Sequence, residues 1–253
     1  MVGVHQNVSW FGEELPMIPW ALIDSAKLPD HGGELRLRQR GAEFSIMLGS
    51  NELMNSRVSG SEEALALISC QRISNRKQPR ILIGGLGMGF TLRAALAELG
   101  DDAGVIVAEL VPSVVAWARG PMVKVFGNCL EDTRVTIREV DVGRVIASEK
   151  ARYDAILLDV DNGPEGLTYK ANDGLYSAQG LRAARLAMRP GGILAVWSSG
   201  PNREFTQRLM GAGFVVEEVK VRANGKRGGA RHIIWIATNN AAPRTQKTPS
   251  ETR

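Results

Sequence analysis

Short apolar runs alternate with amphipathic segments from residue 80 onward, and this alternation restricts the chain to a small group of folds. The apolar runs predict strands at 81–85, 105–110, 135–140, 155–161, 193–199, 214–222 and 233–238. The segments between them predict helices at about 90–99, 112–119, 177–188 and 203–211. Nearly all-apolar strands separated by helices are typical of a parallel sheet that is covered on both faces. The expected fold class is therefore α/β, with a doubly wound sheet.

The last two predicted strands are joined by a short glycine-rich segment at 223–229. A parallel crossover needs roughly a dozen residues or more, so we expect these two strands to pair antiparallel. The polar stretch at 239–253 has no periodicity, and it is predicted to be a disordered tail.

The first part of the chain has a different pattern. Residues 34–57 alternate apolar and polar positions around glycine-containing turns, which predicts a small antiparallel β domain. Residues 1–30 contain prolines and tryptophans without periodicity and are expected to form an arm. Ser59, followed by acidic residues, predicts a helix start. The expected division is an arm and β domain at 1–58, a second domain at 59–238 and the tail.

Composition and charge exclude several classes of protein. A chain of 253 residues with 44% hydrophobic residues can bury one sizeable core, and it is not a disordered protein. The formal net charge of +4 permits a polyanionic partner without requiring one. Neither a membrane-spanning apolar run nor a signal-peptide pattern is found, so a cytoplasmic protein is expected.

Cysteine and histidine are too few and too scattered to organise a metal site. The chain has two cysteines and three histidines, namely Cys70, Cys129, His5, His31 and His232. Zinc sites need clustered ligands at characteristic spacings, which this sequence lacks. No metal and no disulfide framework are predicted.

A glycine-rich turn follows the first predicted strand of the second domain and leads directly into a helix. It contains Gly84, Gly85, Gly87 and Gly89. Glycines at such a turn let the backbone approach a ligand closely, and the helix N-terminus offers free amides. The spacing does not complete the dinucleotide fingerprint, because residue 90 is Phe. A tight turn without a ligand is the alternative.

Two acidic residues stand at the ends of the next two predicted strands. Glu109 ends one strand, where a carboxylate can accept hydrogen bonds from both ribose hydroxyls. Asp141 follows the other strand, and its alternative role is to cap a helix or to form an Asx turn. Together with the glycine turn, these acids predict an adenosine-containing ligand such as S-adenosylmethionine rather than NAD.

A further group of acids follows the fourth strand, at Asp159, Asp161 and Glu165. Clustered carboxylates can hold a cationic substrate, and one that stays unprotonated can take a proton from an amine nucleophile. Tyr176 flanks the loop after these acids and is predicted to close over the substrate.

These stretches together resemble the polyamine synthases, spermidine synthase and its relatives. The resemblance rests on IGGLGMG, VAEL, EVDVG, YDAILLDVDNGPEGL and LYSAQGLRAARLAMRPGGILAVWSS, and the preceding LRLRQRGAEFSIMLGSNELMNSRVSGSEEALAL also matches. It implies a Rossmann-like S-adenosylmethionine-methyltransferase fold with a small N-terminal antiparallel β domain. It also implies transfer of an aminopropyl group from decarboxylated S-adenosylmethionine to a small-molecule amine, and a homodimer.

The same resemblance implies roles for individual residues. The glycines of the turn would line the methionine arm of the donor, Glu109 would bind the ribose and Asp141 the adenine edge. Asp159 would orient and deprotonate the attacking amine. Asp161, Glu165 and Tyr176 are the expected substrate residues.

The chain also departs from the family pattern. Gly87 stands where the family has an aspartate that is expected to recognise the aminopropyl ammonium. Gly60-Ser61-Glu62 stands where the family has Tyr-His-Glu, and Trp197 stands where it often has Gln. The second acid, Asp161, follows Asp159 one residue earlier than the corresponding acid does in the family. These departures affect the expected donor and amine pockets more than the adenosine pocket.

Two other functions remain open at this point. A small-molecule methyltransferase is favoured by Gly87, because a donor that keeps its carboxylate would be repelled by an acid there. The other is a non-catalytic module that binds adenosine or nucleic acid. Its binding would use a basic hairpin that contains Lys220, Arg222, Lys226, Arg227 and Arg231. The hairpin lacks interleaved aromatic residues, so nucleic acid is not the expected partner.

Overall fold

A computed structural model describes residues 18–29, 33–160, 163–164 and 172–240. Its N-terminal part is a four-stranded antiparallel sheet in chain order. The strands are β1 (Ala21–Lys27), β2 (Glu34–Arg40), β3 (Glu43–Leu48) and β4 (Asn51–Asn55). The small β domain was expected, whereas β1 lies in the predicted arm. Six of its seven residues are exposed, so it shows no alternating pattern that sequence reasoning can detect.

The second part is a seven-stranded sheet. Its strands are β5 (Arg80–Gly84), β6 (Gly104–Glu109), β7 (Val135–Glu139), β8 (Tyr153–Leu158), β9 (Met188–Ser198), β10 (Val215–Arg222) and β11 (Arg231–Thr238). The order across the sheet is β10-β11-β9-β8-β5-β6-β7. The strands from β5 to β9 run parallel, and β10 and β11 pair antiparallel. The predicted fold class and the antiparallel final pair are confirmed.

Eight helices connect the described strands. They are α1 (Gly60–Arg72), α2 (Phe90–Glu98), α3 (Pro112–Arg119), α4 (Val123–Phe126), α5 (Val142–Ser148), α6 (Asn172–Tyr176), α7 (Ala178–Ala187) and α8 (Arg203–Gly211). The sequence did not predict α4 or α6, which are too short to show a helical period, and it indicated α5 only through the alternative role of Asp141 as a helix cap. Ser59 precedes α1 as expected, but its side chain makes no capping hydrogen bond.

The position of a ligand crevice follows from the strand order. β5 lies beside β6 on one side and beside β8 on the other, so the order of connection reverses between β5 and β8. Ligands of open α/β sheets bind outside the carboxyl ends of the strands at such a reversal. Gly84 ends β5, and Asp159 follows β8 at this point.

The N-terminal sheet packs onto the same end of the large sheet. Leu37 and Ile46 belong to one continuous apolar cluster with Ile81 and Ile83 of β5. A polar link joins the two parts as well, because Trp117 Nε1 on α3 donates to Asp24 Oδ2 on β1 at 2.7 Å. The crevice is therefore covered on one side by the small sheet.

The chain beyond β11 begins as ordered structure. Asn239 is buried, and its backbone N–H donates to Gly192 O at 2.8 Å. The remainder of the predicted tail, 241–253, lies outside the described residues. Within the described ranges, the helices are all too short or too polar to cross a bilayer.

Candidate functional site

The glycine turn after β5 packs directly against the segment that follows β8. Asp159 N donates to Gly84 O at 3.0 Å. Gly85 has φ +90°, and a Cβ there would lie only 2.4 Å from Asp159 O. Both the left-handed backbone and the close approach require glycine at this position. Gly89 precedes α2 as its N-cap residue.

Glu109 ends β6 and is buried, with 8% of its surface exposed. Its Oε2 accepts from Leu86 N at 2.9 Å, and its Oε1 accepts from Val111 N at 2.8 Å. Burial raises the pKa of Glu109, and these backbone amides partly oppose that rise. Each carboxylate oxygen can accept a second hydrogen bond, so the group can still bind a pair of ligand hydroxyls.

Asp141 caps α5, since its Oδ1 accepts from Arg144 N at 2.9 Å. This is the structural role that the sequence left as an alternative. Asp141 also lines the same cavity as Glu109. A cap occupies one carboxylate oxygen, so capping and ligand binding are compatible at this residue.

The predicted donor residues meet in one cavity at the carboxyl edge of the sheet. Its polar wall contains Gly85, Gly87, Glu109, Asp141 and Asp159. The N-terminal sheet closes the cavity with apolar side chains, among them Leu35, Leu53 and Met54. Gly84 and Gly89 are not among the lining residues and shape the turn from behind. We call this space the rim cavity.

A second cavity adjoins the rim cavity and shares several residues with it. The shared residues are Leu53, Met54, Gly87 and Asp159. Its remaining wall consists of Glu62, Leu86, Met88, Phe90 and Trp197. We call it the inner cavity. Asp159 stands at the junction, so it faces whatever occupies either space.

Asp159 and Glu62 form a pair of carboxylates with raised pKa values. Burial, and secondly the nearby carboxylate of Glu62, raise the pKa of Asp159 to about 7. Thr91 Oγ1 donates to Asp159 Oδ2 at 2.6 Å, which opposes part of this rise. Burial also raises the pKa of Glu62. Two interacting carboxylates titrate as a unit, so near neutral pH the pair can hold a cation or take up a proton.

Sequence reasoning assigned no role to Glu62, Thr91 or His232. Glu62 receives a hydrogen bond at Oε2 from Ser61 Oγ at 2.7 Å, and His232 Nδ1 lies 3.0 Å from the same Ser61 Oγ. The sequence could have indicated a role for Glu62, because this residue keeps the acid of the family's Tyr-His-Glu pattern. It could not do so for Thr91 and His232, since their roles depend on contacts between distant elements.

The predicted substrate residues lie partly outside the described structure. Asp161 and Glu165 follow β8 and lie outside the described residues. Tyr176 is buried, with 2% of its surface exposed, and its ring packs edge-on against Phe205. Its hydroxyl donates to Val160 O at 3.5 Å, so it contacts the backbone of a residue that lines the rim cavity.

Metal binding has no structural support in the part of the chain that the structure describes. No group of three or more His, Cys, Asp or Glu side chains there is arranged to hold a metal ion.

Two curated proteins are similar to this chain in sequence, and both are named polyamine aminopropyltransferase. The protein from Korarchaeum cryptofilum is 29% identical over 139 residues, which cover 54% of this chain and 41% of the relative. The protein from Nitrosomonas europaea is 27% identical over 191 residues, which cover 68% of this chain and 56% of the relative. The chain thus spans about half the length of the curated relatives it matches. No family model matches the sequence.

Solved structures show the same fold. Spermidine synthase from Thermotoga maritima aligns with a TM-score of 0.68 at 16% identity, over 88% of this chain and 74% of that one. A probable spermidine synthase from Corynebacterium glutamicum aligns with a TM-score of 0.59 at 15% identity, over 90% and 84%. The chain therefore has a spermidine synthase-like fold, and in sequence it is similar to the polyamine aminopropyltransferases.

Proposed function

We propose that this protein is an aminopropyltransferase that alkylates a small-molecule amine with decarboxylated S-adenosylmethionine. The observation that carries the proposal is the position of Asp159. This carboxylate, whose pKa is raised to about 7, stands where an adenosine-type cavity opens into a second cavity lined by Glu62 and Trp197. The names of the sequence relatives point to the same reaction.

The rim cavity fits the donor. Glu109 binds the ribose hydroxyls and Asp141 binds the adenine edge, while the apolar side chains of the N-terminal sheet cover the nucleoside. Gly85 and Gly87 let the sulfonium arm run along the backbone of the turn toward Asp159. Gly84 and Gly89 hold the turn and the start of α2 in place.

The inner cavity fits the amine. Glu62 and Asp159 attract a cationic acceptor, and Trp197 and Phe90 provide aromatic surface for its methylene groups and its charge. Asp159 accepts the proton that the acceptor nitrogen loses. The nitrogen then forms a bond to the carbon beside the sulfonium, the carbon–sulfur bond breaks, and the sulfur leaves as a neutral thioether. A base with a pKa near the working pH suits this proton transfer.

Methyl transfer from intact S-adenosylmethionine is the second candidate, and Gly87 is the observation that favours it. Gly87 lines both cavities, and a Cβ there would lie 3.3 Å from Met54 Sδ. The position therefore offers no carboxylate to the ammonium of a decarboxylated donor. The acids at Glu62 and Asp159 still lie on the amine side, and they would repel the carboxylate of an intact donor that reached them.

Calorimetry with both donors separates the two candidates. We expect the decarboxylated donor to bind more tightly than S-adenosylmethionine to the wild-type protein. Tighter binding of intact S-adenosylmethionine would reverse the assignment in favour of methyl transfer. Binding of neither compound would exclude both reactions.

Assembly, location and domain division are further proposals that rest on the resemblance. We infer a cytoplasmic homodimer with an N-terminal segment at 1–58 and a second domain at 59–238. Asp161 and Glu165 of the segment after β8, and Tyr176 at the end of α6, remain the proposed substrate residues. Light scattering of the purified protein measures the oligomeric state directly, and a monomer at micromolar concentration would contradict the dimer.

A further inference from the structure

His232 lies behind the inner cavity and does not line it. It belongs to β11, whereas Ser61 and Glu62 belong to the first turn of α1. His232 Nδ1 lies 3.0 Å from Ser61 Oγ, and Ser61 is almost completely buried, with 1% of its surface exposed. A buried contact between residues so far apart in the chain fixes the start of α1 against the large sheet.

The direction of each hydrogen bond in this group follows from the donors and acceptors present. With Glu62 ionised, Ser61 Oγ donates its single proton to Glu62 Oε2 at 2.7 Å. The same hydroxyl can therefore only accept from the imidazole, which requires a proton on His232 Nδ1. Burial lowers the pKa of His232, which favours the neutral ring. A neutral histidine in the Nδ1–H form thus orients Ser61, and Ser61 orients Glu62.

The imidazole is itself held by a residue of the inner cavity. Trp197 packs edge-on against His232, with ring centroids 4.9 Å apart and an interplanar angle of 75°. Trp197 lines the inner cavity together with Glu62. Two walls of that cavity therefore depend on the same imidazole.

We propose that His232 is a positioning residue for the amine acceptor and acts through Ser61 on the carboxylate of Glu62. This inference rests on the proposed function, because it assigns Glu62 to binding of the acceptor. Glu62 also lies near two other acids, Glu63 on its own helix and Asp159 after β8, and the nearby carboxyl group of Glu63 adds to the rise in the pKa of Glu62. Without the hydrogen bond from Ser61, the ionised form of Glu62 is less stable. Glu62 then binds a cationic amine less tightly.

Variants at both ends of this contact test the proposal. His232→Phe keeps an aromatic ring beside Trp197 and removes the donor, while His232→Asn keeps an N–H close to the position of Nδ1. Ser61→Ala removes the hydroxyl. Ser69→Ala is the matched control, because Ser69 is a fully buried serine on the same helix whose hydroxyl has no hydrogen-bond partner among the described residues.

The first readout is the affinity for 1,4-diaminobutane, measured by calorimetry without turnover. We expect Ser61→Ala and His232→Phe each to weaken binding about tenfold, because each removes a hydrogen bond that stabilises the charged carboxylate, directly or through Ser61. The double variant should be no weaker than either single variant, and His232→Asn should recover most of the affinity. Ser69→Ala should match the wild type. In turnover assays the same variants should raise KM for the amine more than they lower kcat.

The second readout is the tautomer of His232 by nitrogen NMR of the wild-type protein, for which we expect Nδ1–H. An Nε2–H ring, unchanged diamine affinity in His232→Phe, or additive losses in the double variant would each overturn the proposal. Failure of the wild type to bind 1,4-diaminobutane would overturn it as well. A wild type that binds the diamine but transfers no aminopropyl group would overturn the proposed reaction and leave the His232 contact supported by the affinities.

Discussion

The rim cavity and the inner cavity are adjacent, yet they are built in different ways. In the rim cavity the functional groups are fixed by nearby backbone, since Glu109 is held by the amides of Leu86 and Val111 and Asp141 by the amide of Arg144. In the inner cavity they are fixed by side chains: Thr91 donates to Asp159, and Ser61, which contacts His232 of β11, donates to Glu62. The acids of the rim cavity therefore depend on local backbone, whereas those of the inner cavity depend on single side chains that a substitution can remove.

Asp159→Asn changes a residue that lines both cavities and tests its proposed role as the base. Turnover should fall about 1,000-fold, because loss of a positioned general base typically costs 100- to 10,000-fold. The donor affinity should remain within about threefold, since the rim cavity keeps Glu109 and Asp141. Steady-state kinetics and donor calorimetry on the same preparation measure the two effects, with Asp101→Asn, at an exposed residue that lines neither cavity, as the control. Near-normal turnover would exclude Asp159 as the base.

Gly85→Ala tests how far the rim cavity depends on the backbone of the glycine turn. A Cβ 2.4 Å from Asp159 O, at φ +90°, must displace the segment that carries Asp159. We expect donor affinity to fall by about 100-fold and the free energy of unfolding to fall by about 2 kcal/mol or more. Gly127→Ala is the control, because Gly127 has φ +59° with no atom within 4 Å of its Cβ position. Equal effects in the two variants would show that backbone strain alone, and not the close contact, is responsible.

The raised pKa of Asp159 predicts a pH dependence of stability that is opposite to that of an ordinary aspartate. Between about pH 4 and pH 7 the folded state holds a proton that the unfolded chain has already released, so the free energy of unfolding should fall as pH rises. The change should be on the order of 4 kcal/mol, and Asp159→Asn should remove most of it. Denaturant titrations at a series of pH values measure both proteins. The wild-type kcat/KM should rise through the same range, because the base must lose this proton.

Thr91→Val should give the smallest of these effects. It removes the hydroxyl that donates to Asp159 Oδ2 at 2.6 Å, so the pKa of Asp159 should rise further. We expect the acid limb of the kcat/KM profile to move to higher pH, with about a tenfold loss at pH 7. Thr91→Ser keeps the hydroxyl and should restore the wild-type profile. An unshifted limb in Thr91→Val would contradict the assigned hydrogen bond.

The difference between the two cavities also decides how much of the site the sequence predicts. Gly85, Gly87, Glu109, Asp141 and Asp159 were predicted to share a crevice, and they do share one, because the carboxyl ends of neighbouring parallel strands always meet at one edge. Their proposed roles toward a ligand still await experiment. The fold class followed from the same strand pattern.

The inner cavity was less accessible to sequence reasoning, because its contacts join elements that are distant in the chain. Compared with the family pattern, Gly60-Ser61-Glu62 lacks an aromatic residue and a histidine. In the folded chain, β11 brings a different histidine, His232, into contact with Ser61. Gly60 explains how this happens, since a Cβ there would lie 2.2 Å from Gly225 N in the turn between β10 and β11. Only the folded chain shows that α1 begins against that turn.

The most direct test of the account is the product formed by the wild-type protein from 1,4-diaminobutane. The diamine is incubated in parallel with decarboxylated S-adenosylmethionine and with intact S-adenosylmethionine, and the products are identified by mass spectrometry. The account predicts a diamine that carries one added aminopropyl group with the decarboxylated donor, and no product with the intact donor. A methylated diamine from the intact donor, or no aminopropylated product at all, would contradict it.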